Sequence, residues 1–265
     1  MQRVSLPADD LELALELSDL ADAITLGRFG AADLLVETKP DMTPVTEADT
    51  AVERAVRDRI SAERPGDVVV GEEYGAERSD GDRRWIIDPI DGTKGYVRRL
   101  PVWATLLALQ VGGELIVGVV SAPALGRRWW AARGHGAHVR GDTDGGRREL
   151  HVSAVQDLSD AQLCFGGLEE WEQVGRVHSL LALGRDCWRT RGFGDFWGYM
   201  LVAEGGAEIM LDPIVSIWDL AAPLVIVEEA GGRFTDFGGA RTAEGGDALA
   251  TNGHVHEDAL DIVGR

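Results

Sequence analysis

The residues best suited to chemistry are Asp88-Pro89-Ile90-Asp91-Gly92-Thr93, which follow the short apolar run Trp85-Ile86-Ile87. Two carboxylates flank a proline whose fixed φ and missing N–H are expected to stop a strand at Asp88. Gly92 lets the backbone approach a ligand closely, and Thr93 offers a hydroxyl where a helix or tight turn begins. Carboxylates beside free backbone amides suit a divalent cation and a phosphate bound together: the acids hold the metal and the amides hold the anion. Taken alone, Asp-x-x-Asp-Gly is equally an ordinary surface turn. It lacks the acidic ladder and closing Glu of an EF-hand.

Other acids stand where element ends would carry them to the same place. Thr46-Glu47-Ala48-Asp49 reads as a capping box opening a helix with Val52, Val56 and Ile60 on its buried face, so Asp49 is either a capping acid or a site acid. Glu72-Glu73 close the strand Val68-Val69-Val70-Gly71, either as a surface pair or with one of them a ligand. Strands that finish in acids bring carboxylates together at one sheet edge.

Charge narrows the function further. The net charge is −19, with 26 basic against 45 acidic residues. Such a surface repels a nucleic-acid backbone, so no nucleic-acid partner is expected. It also repels phosphorylated metabolites, so a phosphate-handling site needs bound cations as local positive charge. No apolar run approaches the ~20 residues of a membrane span, and the first residues lack a signal-peptide core. Cys164 and Cys187 have no metal spacing, which together with the missing leader leads to the expectation of a reduced, cytoplasmic protein. His254-x-His256 has no further ligand nearby and reads as structural or solvated.

The elements that must position these groups follow from periodicity. Helices are expected at 9–27 and from Thr46, then strands at 68–71 and 85–87. A hairpin joins Trp103–Val111 to Glu114–Val120 through Gly112-Gly113, with further strands at 127–132, 137–140 and 149–152 and an exposed tip at 141–146. The stretch Thr38–Val45 is kept out of a helix by two prolines. The remainder alternates strands at 161–165, 187–190, 207–211, 233–235 and 248–251 with helices at 168–183, 195–204, 218–230 and 255–263. Pro223 is expected to kink or shorten the helix containing it. We expect residues 1–150 to form an α+β half with most of the metal ligands, and 151–265 an α/β half with the substrate-side residues and Asp219.

Four stretches in this order, Val45-Thr46-Glu47-Ala48-Asp49, Gly71-Glu72-Glu73, Asp88 to Thr93 and Trp218-Asp219-Leu220-Ala221-Ala222, resemble the inositol monophosphatase-like family over essentially the whole length. The resemblance implies an α/β fold of alternating helix and sheet layers, the sugar-phosphatase fold, and a metal-dependent phosphate monoester hydrolase. By motif, Glu72, Asp88, the Ile90 carbonyl, Asp91 and Asp219 are implied metal ligands. Asp49 and Thr93, with Glu72, are implied to orient the attacking water. The N–H groups of Gly92 and Thr93 are implied to hold the phosphate, with Lys39 near it. Two or three Mg²⁺ ions, replaceable by Mn²⁺ and inhibited by Li⁺, and a homodimer are likewise implied.

Three stretches resemble the histidinol-phosphate phosphatases of actinobacteria within that family: Pro101 to Leu106, Arg191 to Tyr199, and Asp212 six residues before Trp218. Asp195 and Asp212, beside Asp91 and Asp219, are then the implied substrate-side residues. Their carboxylates suit the ammonium of histidinol phosphate, and an aromatic ring suits its imidazole. Phe196 and Trp197 are otherwise helix core, and Asp195 otherwise a helix cap. Alternatives are an inositol-1-phosphate, sugar-phosphate or 3′-phosphoadenylate phosphatase, and, from another class, a catalytically silent metal-binding scaffold.

Overall fold

The computed structural model describes residues 7–40, 42–76, 81–141 and 146–264. In chain order the elements are helix α1 (Pro7–Arg28), strands β1 (Val36–Thr38) and β2 (Pro44–Thr46), helix α2 (Glu47–Glu63), and strands β3 (Val68–Gly71), β4 (Gly75–Ala76) and β5 (Arg83–Asp91). Helix α3 (Thr93–Val97) leads to β6 (Ala104–Val111), β7 (Glu114–Ala122), β8 (Arg127–Ala132), β9 (Ala137–Arg140) and β10 (Arg147–Glu149). Then come β11 (Gln162–Phe165), α4 (Leu168–Gln173), α5 (Val177–Asp186), β12 (Arg189–Arg191), α6 (Asp195–Ala203) and β13 (Ile209–Asp212). Helix α7 (Ile217–Glu229), β14 (Arg233–Thr235), β15 (Ala248–Thr251) and α8 (His256–Val263) complete the chain.

Period-two alternation sorts the strand residues into layers. In the eight-stranded sheet β10-β9-β8-β7-β6-β5-β3-β4, Trp85, Ile87, Leu107 and Leu109 face α1 and α2, while Ile86, Leu106 and Ala108 face α6 and α7. In the five-stranded sheet β12-β11-β13-β15-β14, Cys164, Met210 and Ala250 join the α6–α7 core, and Leu163, Ile209 and Leu249 face α4, α5 and α8. Helix pair, sheet, helix pair, sheet and helices therefore alternate, as the sequence led us to expect for an α/β protein. The α6–α7 layer, covered on both sides, is apolar all round. Gly118 in β7 is what lets α7 lie so close, because a Cβ there would sit 2.6 Å from the Ala222 carbonyl oxygen.

Several expectations need correcting. The strand does not stop before Pro89: β5 runs on to Asp91, with its register against β6 shifting between Asp88 and Asp91. A bulge needs no ladder N–H at that point, so proline is tolerated there and the bulge re-aims both acids. The helix expected at 168–183 is two, α4 and α5, interrupted by Gly175 in the left-handed region (φ +71°). Among the described residues Thr38–Val45 stays out of a helix as expected, with Thr38 and Pro44–Val45 in the β1–β2 hairpin. After β10 the chain leaves the sheet instead of continuing to Val152, whose N–H donates to Ala230. Pro223 does not shorten α7, which spans Ile217–Glu229. The centre of the expected tip, residues 142–145, lies outside the described residues. Cys164 and Cys187 are buried free thiols, and His256 is a buried structural residue placed between the Thr235 and Thr251 hydroxyls at 3.0 Å each.

Candidate metal and phosphate site

The site forms where the bulged end of β5 meets the first turns of α2 and α7. Ser216 caps α7, and its N–H donates to Asp219 Oδ2 at 2.7 Å. The same device holds Asp49 on α2: the Thr46 N–H and hydroxyl donate to Asp49 Oδ2 at 2.8 and 2.5 Å. Each capping box uses one carboxylate oxygen and leaves the other for the site. Asp49 is thus both the capping acid and a site residue.

Asp88, Asp91 and Asp219 each bring an oxygen within 4.8 Å of the others. The Ile90 N–H braces Asp88 Oδ1 at 3.0 Å, and the Phe196 N–H donates to Asp91 Oδ2 at 2.5 Å. That second brace depends on Asp195, which starts α6 with φ +52°. A left-handed Asp is tolerated at a cost of about 1 kcal/mol. Thr93 Oγ1 donates to the Ile90 carbonyl at 2.8 Å and lies 3.5 Å from Asp49 Oδ1. Gly92 turns the chain at φ +83°, and its N–H and that of Thr93 donate to no group among the described residues.

Glu72 lines the same cavity but stands outside the three-carboxylate cluster. Its Oε1 instead accepts from Lys39 Nζ at 2.7 Å, as does Glu73 Oε1. Lys39 is therefore paired with two carboxylates. Asp195 and Asp212 line an adjoining cavity that also reaches Asp91 and Asp219, and the Tyr199 hydroxyl donates to Asp212 Oδ2 at 2.7 Å. Trp197 packs at the edge of the α6–α7 core, 5.1 Å between ring centres from Phe193.

Electrostatics shows what the cluster lacks. Burial, then the charges of Glu72 and Asp91, push the Asp88 carboxyl well above its ordinary range, and burial, then Asp195, does the same to Asp91. Burial lifts Asp219 to about 7 against the bond from Ser216, and Asp49 to about 6 against those from Thr46. Carboxylates forced this close either share protons, as Asp219 and Asp88 can, or hold a cation among them. The donor set is oxygen only, without sulfur or imidazole, which fits Mg²⁺.

Two supporting residues escape a reading of the sequence. Glu53 is fully buried on α2, one turn after Asp49, and accepts the N–H of Glu73 at 2.8 Å, fixing the turn that carries Glu72. Gly71 permits this, since a Cβ would lie 2.1 Å from Glu53 Oε1. The spacing Asp49, Glu53, Arg57 was the available signal, but it reads as a solvated helix face. Tyr199 ends the stretch Arg191 to Tyr199, but nothing in the sequence gives it a role of its own.

Residues 9–263 match the model of the inositol monophosphatase family. The histidinol-phosphatase of Streptomyces coelicolor is 53% identical over 259 residues, covering 96% of this chain and 97% of the relative. That of Mycobacterium tuberculosis is 53% identical over 253 residues, with 95% and 96% covered. Among solved structures, an IMPase of Thermotoga maritima aligns with a TM-score of 0.85 at 30% identity, covering 96% of each chain. An inositol monophosphatase from Zymomonas mobilis gives 0.85 at 30%, covering 98% and 99%.

Proposed function

The chain belongs to the inositol monophosphatase family, and from that premise we propose that this metal-dependent phosphoric monoester hydrolase acts on histidinol phosphate, releasing histidinol and phosphate. The observation that carries the substrate is the acidic lining beyond the phosphate turn, where Asp195 and Asp212 stand beside Asp91 and Asp219. Hydroxyls of a neutral sugar leave that charge uncompensated, whereas the ammonium and imidazole of histidinol phosphate offset it.

Glu72, Asp88, the Ile90 carbonyl, Asp91 and Asp219 are the residues that would hold Mg²⁺, two or three ions in all, with Mn²⁺ as a substitute and Li⁺ as an inhibitor. When bound, the metal supplies neutralisation of phosphoryl charge and acidification of water. The free N–H groups of Gly92 and Thr93 hold phosphate oxygens. Thr93 and Asp49 orient the nucleophile: swinging the Thr93 hydroxyl proton from the Ile90 carbonyl to Asp49 Oδ1 turns a Thr93 lone pair to accept from water and releases the Ile90 carbonyl. Asp49, kept near neutral pKa by burial, is suited to receive that proton. Asp195 and Asp212 hold the leaving group in line. We further assign the enzyme to the cytoplasm, which cell fractionation tests, and to a homodimer, which sedimentation of the purified protein tests. Among the described residues no helix is long and apolar enough to cross a membrane.

The deciding experiment is phosphate release from histidinol phosphate against inositol 1-phosphate, with and without Mg²⁺. Preference for histidinol phosphate by about tenfold or more, abolished by a chelator, is expected; preference for inositol 1-phosphate overturns the substrate. Asn accepts the left-handed backbone that Asp195 adopts, so Asp195→Asn removes charge and leaves the turn intact. It is expected to lower kcat/KM for histidinol phosphate about tenfold more than for a neutral sugar phosphate.

A further inference from the structure

The cavity beyond the phosphate turn carries one more carboxylate than this reading uses. Glu170, in the first turn of α4, lines it together with Gly166, Asp195 and Asp212. Glu170 is half-buried; its carboxylate receives the Gly167 N–H and forms no ion pair among the described residues. Asp212 is 5% exposed. Its Oδ2 is taken by Tyr199, while Oδ1 has no hydrogen-bond partner among the described residues. The two acids face one small volume. The point a Cβ on Gly166 would occupy lies 2.3 Å from Asp212 Oδ1 and 3.3 Å from Glu170 Oε2. A methyl there would run into Asp212 Oδ1, so glycine lets both acids close on the backbone at this point.

Two carboxylates aimed at a shared volume repel each other unless a cation enters. Lys94 acts on Glu170 and Asp195 through its field, but it is exposed and forms no ion pair with either among the described residues. Two carboxylates are too few for a dedicated Mg²⁺ site. They match an ammonium, whose compact charge presents three donors. Because Asp91 and Asp219 line the other end of the same cavity, a molecule with its phosphoryl group at the turn reaches this space with its other end.

We propose that Glu170 and Asp212, across Gly166, form the pair that receives the substrate's primary ammonium, making Glu170 a specificity-determining residue for aminoalkyl phosphates; this deepens the phosphatase reading and rests on it. Mg²⁺-loaded wild-type, Glu170→Gln and Gly166→Ala enzymes are compared on 2-aminoethyl phosphate and propyl phosphate, esters of similar size that differ by the charge. If turnover of either is too slow to follow, the same ratio is read from their inhibition constants against p-nitrophenyl phosphate. The wild type is expected to favour the amino ester, and Glu170→Gln to cut that preference about tenfold, mainly through KM. Gly166→Ala, whose methyl would push the Asp212 carboxylate aside, is expected to cut it similarly, with melting temperatures reporting that both variants fold. A wild type indifferent to the amino group overturns the proposal, as does an unchanged preference or an equal loss on both esters in Glu170→Gln. Ammonium preference without histidinol-phosphate turnover sinks the substrate reading alone; the reverse sinks the cradle alone.

Discussion

At the scale of single residues, the site is a set of acids held in place against their own repulsion. Asp219 shows the consequence. Its folded pKa, about 7, lies above the ordinary carboxylate value of 3.8. Raised folded pKa means stability that is complete below the unfolded value and lost as pH rises through the folded one. The metal-free protein is therefore expected to melt progressively lower between pH 5 and 8, and Mg²⁺ to reverse the trend. Asp219→Asn removes one repelling charge while keeping a side-chain oxygen for the Ser216 N–H. It is expected to raise the metal-free melting temperature at pH 8 by about 4 °C and to lower kcat by roughly a thousandfold or more for want of a ligand. Calorimetry with and without chelator, alongside phosphate release, checks both. An unchanged metal-free melting temperature would remove the repulsion argument.

At the scale of elements, β5, α2 and α7 do the positioning, and their packing is open to test away from the chemistry. Gly118→Ala places a methyl 2.6 Å from the Ala222 carbonyl oxygen, so α7 must move or β7 must yield. A loss of about 2–3 kcal/mol in urea unfolding is expected from such overpacking, with weaker Mg²⁺ binding because α7 carries Asp219. Normal metal affinity in that variant would mean that the first turn of α7 is decoupled from its middle. His256 ties β14 and β15 to α8 and titrates in the opposite sense to the site acids. Burial, then Arg233, depresses it to about 4 from 6.5, so its contribution is present above pH 6.5 and is lost as pH falls toward 4. His256→Asn should be less stable at pH 7 but should lose about 2 kcal/mol less than wild type on going to pH 5.

At the scale of the whole molecule, a net charge of −19 surrounds a site that must admit an anion. Long-range repulsion slows the approach of a phosphate ester and is screened by salt within a Debye length of ~10 Å at 0.1 M. With Mg²⁺ saturating, raising ionic strength from about 0.02 to 0.2 M is expected to raise kcat/KM for a neutral sugar phosphate several-fold. The gain should be smaller for an ester bearing an ammonium, whose net charge is lower. Identical salt responses for the two would place the controlling charge outside the field of the protein.

Local spacing alone determined a good deal. The apolar periodicity of α1, α2 and the hairpin strands, the capping box at Thr46, and the order of four acidic motifs made the layers and the core acids legible, because period and cap are short-range properties of the chain. The bulge at Pro89 and the continuity of α7 through Pro223 were not legible, since each depends on what a neighbouring element leaves room for, whereas the break at Gly175 is a local glycine stop that the sequence did carry. Which second oxygen of Asp49 and Asp219 points inward, that Glu72 leans to Lys39, and that Glu53 and Glu170 serve the site at all were decided by tertiary structure. Their motifs look like solvated helix faces, and only the meeting of residues more than a hundred positions apart turns a surface acid into a buried one that needs a cation.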